Sequence, residues 1–182
     1  GLAVCGLSSR CADMRRASLT LVSNLYLAIR EAEFQEKEHL IMVLDLLRDA
    51  LDSNATIQDS DTAATASSDA PYLPTTTTLF IAHALRSVTT PGTFIYPVIS
   101  HFLLQRPEID ISDVPLLYNL LYSASDRYKQ ERMWMLRFLR DVARSGGGSD
   151  WKILKRRRTW ELLASLYDAC DGVGVNSERA VE

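Results

Sequence analysis

The chain has 182 residues, of which 47% are hydrophobic and 24% charged, and its formal net charge is -3. This size and composition are typical of one globular domain and exclude wholesale disorder, a collagen-like fibre and a disulfide-rich scaffold. Three cysteines are too few for a disulfide framework and indicate a reducing compartment, cytosol or nucleus. No apolar run approaches the roughly 18 residues that a membrane helix requires, so we expect no membrane partner.

The apolar residues of the first half recur three and four positions apart, which is the period of one helix face. One such segment runs from Met14 to Ile29, and Asp13 stands where it would cap the first turn. A second runs from about Gln35 to Leu51 and starts with acidic residues, as the helix dipole prefers. These two segments predict a first helical pair over 11–52.

The composition then changes over residues 52–71. This stretch contains four aspartates and no Lys or Arg, and Ile57 is its only large aliphatic side chain. Such a segment buries too little apolar surface to offset the entropy of ordering it. We therefore predict a mobile acidic loop over 53–73 that is dispensable for folding.

The second half contains further helical segments that are separated by turn and capping signals. They are about Thr76–Val88, Phe94–Gln105, a short helix capped by Ser112 and Asp113, the longest helix, capped by Ser125 and Asp126 and ending near Arg144, one from Ser149 to Arg158, and a last one capped by Thr159. The glycines at 146–148 are expected to end the longest helix in left-handed backbone geometry.

No segment alternates apolar and polar residues for long, so we predict an all-α fold without a sheet. Helices joined by short turns favour stacked antiparallel hairpins, as in HEAT or armadillo solenoids, with a compact irregular bundle as the alternative. The predicted organisation has four parts: the first helical pair over 11–52, the acidic loop over 53–73, a main helical-repeat segment over 74–170, and a frayed tail over 171–182.

Residue types that form catalytic or metal sites are scattered along the chain. His39, His83 and His101 lie on three separate predicted helices, and only His39 has carboxylates nearby, which a solvated helix start also explains. Neither a G-x-S-x-G elbow nor a Walker A loop is present. We therefore predict a non-enzyme with no catalytic residue, no metal, no cofactor and no small-molecule substrate. The weakest remaining hypothesis is an enzyme whose site is completed by another chain.

Positive charge is concentrated between residues 126 and 158, which carry eleven Lys and Arg against four Asp and Glu. Such a basic ridge binds nucleic acid by neutralising phosphates. The alternatives are a solvated face, or arginines that pair with carboxylates of a neighbouring helix. The candidate RNA-binding or partner-binding residues are Arg137, Arg140, Arg144, Lys152, Lys155, Arg156, Arg157 and Arg158.

Three tryptophans, Trp134, Trp151 and Trp160, lie among these basic residues. Their helical spacing favours core anchors over platforms on which nucleobases stack.

Three segments between residues 92 and 170 form a distinctive series: YPVISHFLLQRPEIDISDVPLLYNLLYSASD, YKQERMWMLRFLRDVARS and DWKILKRRRTWELLASLYDA. An aspartate-valine-proline precedes a tyrosine-leucine helix, a glutamate-arginine-x-tryptophan helix follows, and a basic triplet leads into a final leucine-rich helix. In content and order the series resembles the C-terminal conserved region of the nucleolar pre-ribosomal-associated protein 1 family.

The resemblance implies a segment of a very large, non-catalytic helical-repeat scaffold that acts in the nucleolus during assembly of the large ribosomal subunit. It also implies association with precursor ribosomal RNA and with assembly factors, a DEAD-box helicase among them. The residues themselves leave a second hypothesis open. This is a pure protein-interaction module whose basic ridge binds an acidic partner and never contacts RNA.

Overall fold

The computed structural model describes residues 1–61, 70–105 and 108–175, with the side chains of 55–61 and 169–175 excepted. Within these ranges every regular element is a helix, which confirms the predicted all-α class. The helices are α1 (Leu2–Gly6), α2 (Ala12–Glu31), α3 (Lys37–Asp61), α4 (Thr75–Val88), α5 (Tyr96–Gln105), α6 (Leu117–Leu121), α7 (Tyr128–Ser145), α8 (Gly148–Arg156) and α9 (Thr159–Val175).

Helix α4 is the centre of the fold. It packs against α1, α3, α5 and α7, whereas most other contacts join helices that are consecutive in the chain. Phe80, Ile81 and Ala84 are fully buried, and so are the threonines Thr76–Thr78. Because neighbours enclose this helix on several sides, its buried surface is wider than a single amphipathic stripe.

Helix α1 lies outside the predicted segments and closes one side of the core with Val4 and Leu7. A Cβ atom at Gly6 would lie 2.0 Å from the Ser18 Oγ, so only glycine lets α1 and α2 approach this closely. Asp13 lies inside the first turn of α2 rather than at its cap.

The predicted acidic loop over 53–73 is described only in part. Helix α3 continues to Asp61, so the first helical pair extends beyond the predicted boundary at residue 52. Residues 62–69 lie outside the described residues. At the far end Leu73 is fully buried and its N–H donates a hydrogen bond to the Leu7 carbonyl, at 3.2 Å. Arg15, which is also buried, donates from Nε to the Ala70 carbonyl, at 2.9 Å. The end of the segment is thus packed against the N-terminal helices.

Several predicted helix caps have other roles in the structure. Ser112 and Asp113 do not cap α6, because that helix begins only after Leu116. Ser125 comes closer to the expected role, since its Oγ accepts a hydrogen bond from the Arg127 N–H and donates one to the buried Glu131 at the start of α7. The longest helix is α3 rather than α7.

The glycines after α7 act through their size rather than through left-handed geometry. Among the described residues no glycine has a positive φ, and Gly146 is extended at φ -69° and ψ 153°. A Cβ at Gly146 would lie 2.5 Å from the Val142 carbonyl oxygen and 2.8 Å from the Asp150 Cβ. The left-handed positions are instead Leu116 and Arg158, with φ values of 62° and 51°.

Asp150 joins the start of α8 to the start of α4. Its carboxylate is buried and accepts hydrogen bonds from the Thr76 N–H and Oγ1, at 2.7 and 2.8 Å. It also accepts one from the Gly147 N–H, at 2.9 Å. The first N–H groups of a helix have no partner within that helix and attract negative charge. One carboxylate therefore serves two helix N-termini and holds α8 against the central helix.

A candidate basic interface on α7 and α8

The apolar stripe of α7 decides which of its side chains reach solvent. Met135, Phe138, Leu139 and Val142 are buried, so the opposite face of the helix is exposed. The predicted residues Arg137, Arg140 and Arg144 all lie on this exposed face.

These three arginines differ in their partners. Arg140 forms an ion pair with the adjacent Asp141, with 2.9 Å between Nη2 and Oδ1. Arg137 and Arg144 form no ion pair within the described part of the chain. Their charges are therefore available to an external anion.

The basic run of α8 separates into exposed lysines and docked arginines. Lys152 and Lys155 are exposed and, among the described residues, have no ion-pair partner. Arg157 is half-buried and forms an ion pair with Asp113 of the α5–α6 connection. Arg156 donates from Nη1 to the Ser112 Oγ, at 3.1 Å, and the exposed Arg158 pairs with Glu161.

The contacts of Arg156 and Arg157 also affect a carboxylate of the α5–α6 connection. Burial by itself would raise the pKa of Asp110. Hydrogen bonds from the Ser112 hydroxyl and N–H, together with Arg157 and Arg156, lower this pKa below its ordinary value instead. The eight predicted residues are thus divided, and Arg157 serves an internal contact rather than an exposed site.

A cleft of about 410 Å³ lies between α4, the turn after it and α7. Arg137 and Arg140 line it together with Arg86, an exposed residue of α4 that was not among the predicted site residues. A smaller cavity of about 320 Å³ adjoins it and shares Phe94, Trp134 and Arg137. The sequence carries one signal for Arg86, which is the only Lys or Arg of helix α4, but nothing local connects it to α7.

Aromatic rings form one wall of this cleft. Trp134 stacks on Phe138, with 5.6 Å between ring centroids and 8° between ring planes, and meets the His83 ring edge-on at 5.2 Å. Trp134 is half-buried, in partial agreement with the predicted core anchor. Burial and the nearby Arg86 lower the pKa of His83 below its ordinary value against an opposing influence of Asp141, which favours the neutral ring.

The other two tryptophans are not core anchors, and that prediction is wrong for them. Trp151 and Trp160 are 47% and 46% exposed, and their rings stack on each other with centroids 5.6 Å apart. They lie on the outer sides of α8 and α9, where helical spacing alone does not distinguish a buried face from an uncovered one.

The described ranges contain no arrangement typical of a metal site or of a membrane span. No cluster of three or more His, Cys, Asp or Glu side chains there is placed to hold a metal ion. None of the helices in these ranges combines the length and apolar character that crossing a bilayer requires.

The chain resembles known proteins over nearly its whole length. The family model described as nucleolar pre-ribosomal-associated protein 1 matches residues 1–176. Relatives of that name from Mus musculus and Homo sapiens are each 28% identical to the chain over 178 residues. These alignments cover 97% of the chain but only 7% of each relative, and no solved structure matches.

The name of these relatives refers to the nucleolus and to pre-ribosomes, in agreement with the predicted nucleolar location, and it denotes no reaction. The family match also includes the first ninety residues, which the resemblance seen in the sequence did not cover distinctly. The chain belongs to the nucleolar pre-ribosomal-associated protein 1 family.

Proposed function

We propose that this chain is a non-catalytic scaffold segment in nucleolar assembly of the large ribosomal subunit, and that it binds pre-ribosomal RNA. The RNA-binding surface is the exposed face of α7 together with the lysines of α8. The observation that carries the proposal is that four of the eight predicted residues are exposed and form neither an ion pair nor a side-chain hydrogen bond among the described residues: Arg137, Arg144, Lys152 and Lys155.

It is unexpected that these cations have no ion pair, because the whole chain is acidic, with a net charge of -3. An acidic protein has carboxylates enough to pair its basic residues, as Arg140, Arg157 and Arg158 do. Cations left without a partner on two adjacent helices repel one another. A polyanion relieves that repulsion and releases its own counterions on binding. Because the family is named for its association with pre-ribosomes, we propose RNA as the polyanion.

This proposal assigns fewer residues to the RNA-binding interface than the sequence predicts. Lys152 and Lys155 remain RNA-binding candidates, whereas Arg157 and, to a lesser degree, Arg156 and Arg158 support the contact between α8 and its neighbours. The solenoid of stacked hairpins stays a prediction: most contacts join helices that are consecutive in the chain, but the central helix α4 contacts four helices. Assembly factors, including a DEAD-box helicase, are partners by resemblance alone.

The test is the salt dependence of binding to a short single-stranded RNA. Each phosphate contact that is lost reduces the slope of log K against log salt by roughly 0.7. The double variant Arg137→Gln/Arg144→Gln should therefore bind more weakly to all RNA sequences and have a slope smaller by about 1.4. The control Arg16→Gln/Arg30→Gln changes the net charge equally on exposed α2 positions and should keep the parent slope. Equal slopes for both double variants would contradict the proposed surface.

The second candidate function is the protein-interaction module that does not contact RNA. The exposed pair Trp151 and Trp160 favours it, because tryptophans dominate the binding energy of many protein interfaces. Under this alternative the chain shows no salt-dependent RNA affinity, and Trp151→Ala weakens capture of an acidic protein partner.

A further inference from the structure

We propose that the cleft between α4 and α7 binds one unstacked nucleotide of single-stranded RNA, with its base against Trp134 and Phe94 and its phosphates at Arg86 and Arg137. This inference rests on the proposed RNA-binding function and deepens it, because it assigns a base-contacting site within the phosphate-binding surface.

The electrostatic character of the cleft selects an anion. Arg86 approaches from α4, and Arg137 and Arg140 approach from α7. Asp141 is the acidic side chain of the lining, and Arg140 already neutralises it. Arg86 and Arg137 are left without an ion pair in the described ranges, so the cleft presents two guanidinium groups from two different helices. Guanidinium groups bind phosphate oxygens through paired N–H donors.

The aromatic wall distinguishes a nucleotide from a simple anion. Phe138 covers one face of the Trp134 ring and the His83 ring meets it edge-on, so a ligand reaches only the part of the ring that these two leave open. Phe94 is half-buried and lines both the cleft and the smaller cavity beside it. A carboxylate needs only the arginines, whereas a base also gains from stacking on aromatic rings. The pairing of rings with arginines therefore favours RNA over an acidic peptide.

The cavity that adjoins the cleft favours a strand over a free metabolite. The volume of about 410 Å³ is within the range of small-ligand pockets. The adjoining cavity shares three lining residues with the cleft and adds Lys129, so the chain of a second nucleotide has a path out along α7. Arg144 continues the same exposed face two turns beyond Arg137.

The experiment compares a short oligouridine with an oligomer of the same length in which the central bases are removed and the phosphates are kept. Stacking of one base corresponds to an affinity gain of roughly tenfold or more. The parent chain should therefore prefer the oligouridine by about tenfold, and Phe94→Leu should reduce this preference to near unity while keeping the salt dependence. The matched control is Phe34→Leu, which makes the same change at an exposed residue far from the cleft in sequence, and it should retain the preference.

A second variant tests the cleft independently in case Phe94→Leu misfolds. Arg86→Gln/Arg137→Gln alters only exposed side chains and should weaken binding to both oligomers by a similar factor. Thermal melting by circular dichroism should show that this variant folds as the parent does.

Three results would overturn the inference. A parent chain that binds both oligomers equally would refute base contact in the cleft and leave the proposed RNA-binding surface intact. An oligoglutamate that displaces oligouridine from the parent, with no effect of Phe94→Leu on either ligand, would make the cleft a peptide-binding site. Failure of the parent chain to bind either oligomer at low salt would refute the proposed function together with this inference.

Discussion

The exposed face of α7 and the corner formed by α8 and α9 carry the same residue types for different reasons. On α7 the arginines are three and four positions apart, and Arg137 and Arg144 meet no carboxylate in the described structure. At the corner the arginines are consecutive, and each of the three meets a partner. A high density of basic residues in sequence therefore does not identify the charges that are free to bind an external anion.

The end of helix α8 explains this difference. Only Arg156 of the triplet lies within α8, while Arg157 is its C-cap and Arg158 has left-handed backbone geometry, so the three side chains do not follow one helix face. Arg157 is the member that turns toward the α5–α6 connection, where Asp113 and Asp110 lie. The comparison predicts that changes at the corner affect stability first, and that changes on the α7 face affect RNA binding first.

The largest expected effect is at Asp150, which anchors the corner to the central helix. Asp150→Ala leaves the Thr76 and Gly147 N–H groups buried without an acceptor, so the free energy of unfolding should fall by about 3–4 kcal/mol. Urea unfolding followed by circular dichroism measures it. The control Asp126→Ala removes an exposed carboxylate just before α7 and should change the stability by less than about 0.5 kcal/mol. A loss below about 1 kcal/mol for Asp150→Ala would mean that its hydrogen bonds contribute little.

The tryptophans extend the comparison to apolar packing. Trp134 is half-buried against Phe138 and His83, so Trp134→Ala should lower the free energy of unfolding by about 2–3 kcal/mol. Trp151 is nearly half exposed and stacks mainly on Trp160, so Trp151→Ala should lower it by about 1 kcal/mol or less. Chemical denaturation of the two variants side by side gives the difference. Equal losses would show that the corner is packed as tightly as the cleft.

Arg157 tests whether the basic triplet is structural. Its ion pair with Asp113 is partly shielded from water, so Arg157→Gln should cost about 1 kcal/mol of stability and leave the RNA salt slope unchanged. Lys155→Gln is the matched control, since it removes the same charge from an exposed position of the same helix. It should show the reverse pattern, with a smaller salt slope and unchanged stability. An Arg157→Gln variant that folds normally and binds RNA poorly would contradict the distinction between the exposed face of α7 and the corner formed by α8 and α9.

Arg158 tests the backbone of the corner. Its φ of 51° lies in the left-handed region, which glycine adopts without strain. Arg158→Gly should therefore be more stable than Arg158→Ala by roughly 0.5–1 kcal/mol. At Arg137, in the middle of helix α7, the order should reverse by about 1 kcal/mol in favour of alanine. Thermal unfolding of the four variants is sufficient, and the same order at both positions would exclude strain at Arg158.

The smallest expected effect is the pH dependence of stability that His83, in the cleft, contributes. Burial, aided by Arg86, lowers the pKa of His83 below its ordinary value of 6.5, so the unfolded chain binds a proton more readily than the folded one. The resulting contribution to stability is present above pH 6.5 and is lost as the pH falls through the lower pKa of the folded state. His83→Phe should weaken the decline of stability between pH 7 and pH 5. A parent and His83→Phe with identical pH profiles would refute this contribution.

Much of the helical content was accessible from the sequence because the apolar period and the turn signals act locally. The start of α5 is an example, since Pro97 lies in its first turn, where a missing N–H is harmless. The end of α3 was not accessible in this way. Residues 53–61 have too few apolar side chains to predict a helix, yet α3 continues through them. At the start of that stretch Asn54 is buried and donates from its side chain to the Tyr72 carbonyl.

Part of the candidate site was also predictable from the sequence, because the exposure of a helical residue follows from a local pattern. Exposure of Arg137 and Arg144 follows from the apolar stripe of the same helix, which the sequence displays. The role of Arg86 does not follow from any local pattern, because this residue meets α7 only through the packing of α4 against it. Trp134 and Trp151 both lie among basic residues in the sequence, and only the structure shows that Trp134 packs against His83 of α4 whereas Trp151 is 47% exposed.

The sequence by itself determined the all-α class, the family and the concentration of positive charge between residues 126 and 158, since these depend on periodicity, order and composition. Tertiary structure decided which of those charges are free, that the buried Asp150 joins two helix N-termini, and that a cleft with aromatic and basic walls forms between α4 and α7. These features depend on residues far apart in the chain, and their positions are set by the packing of whole helices rather than by local propensity.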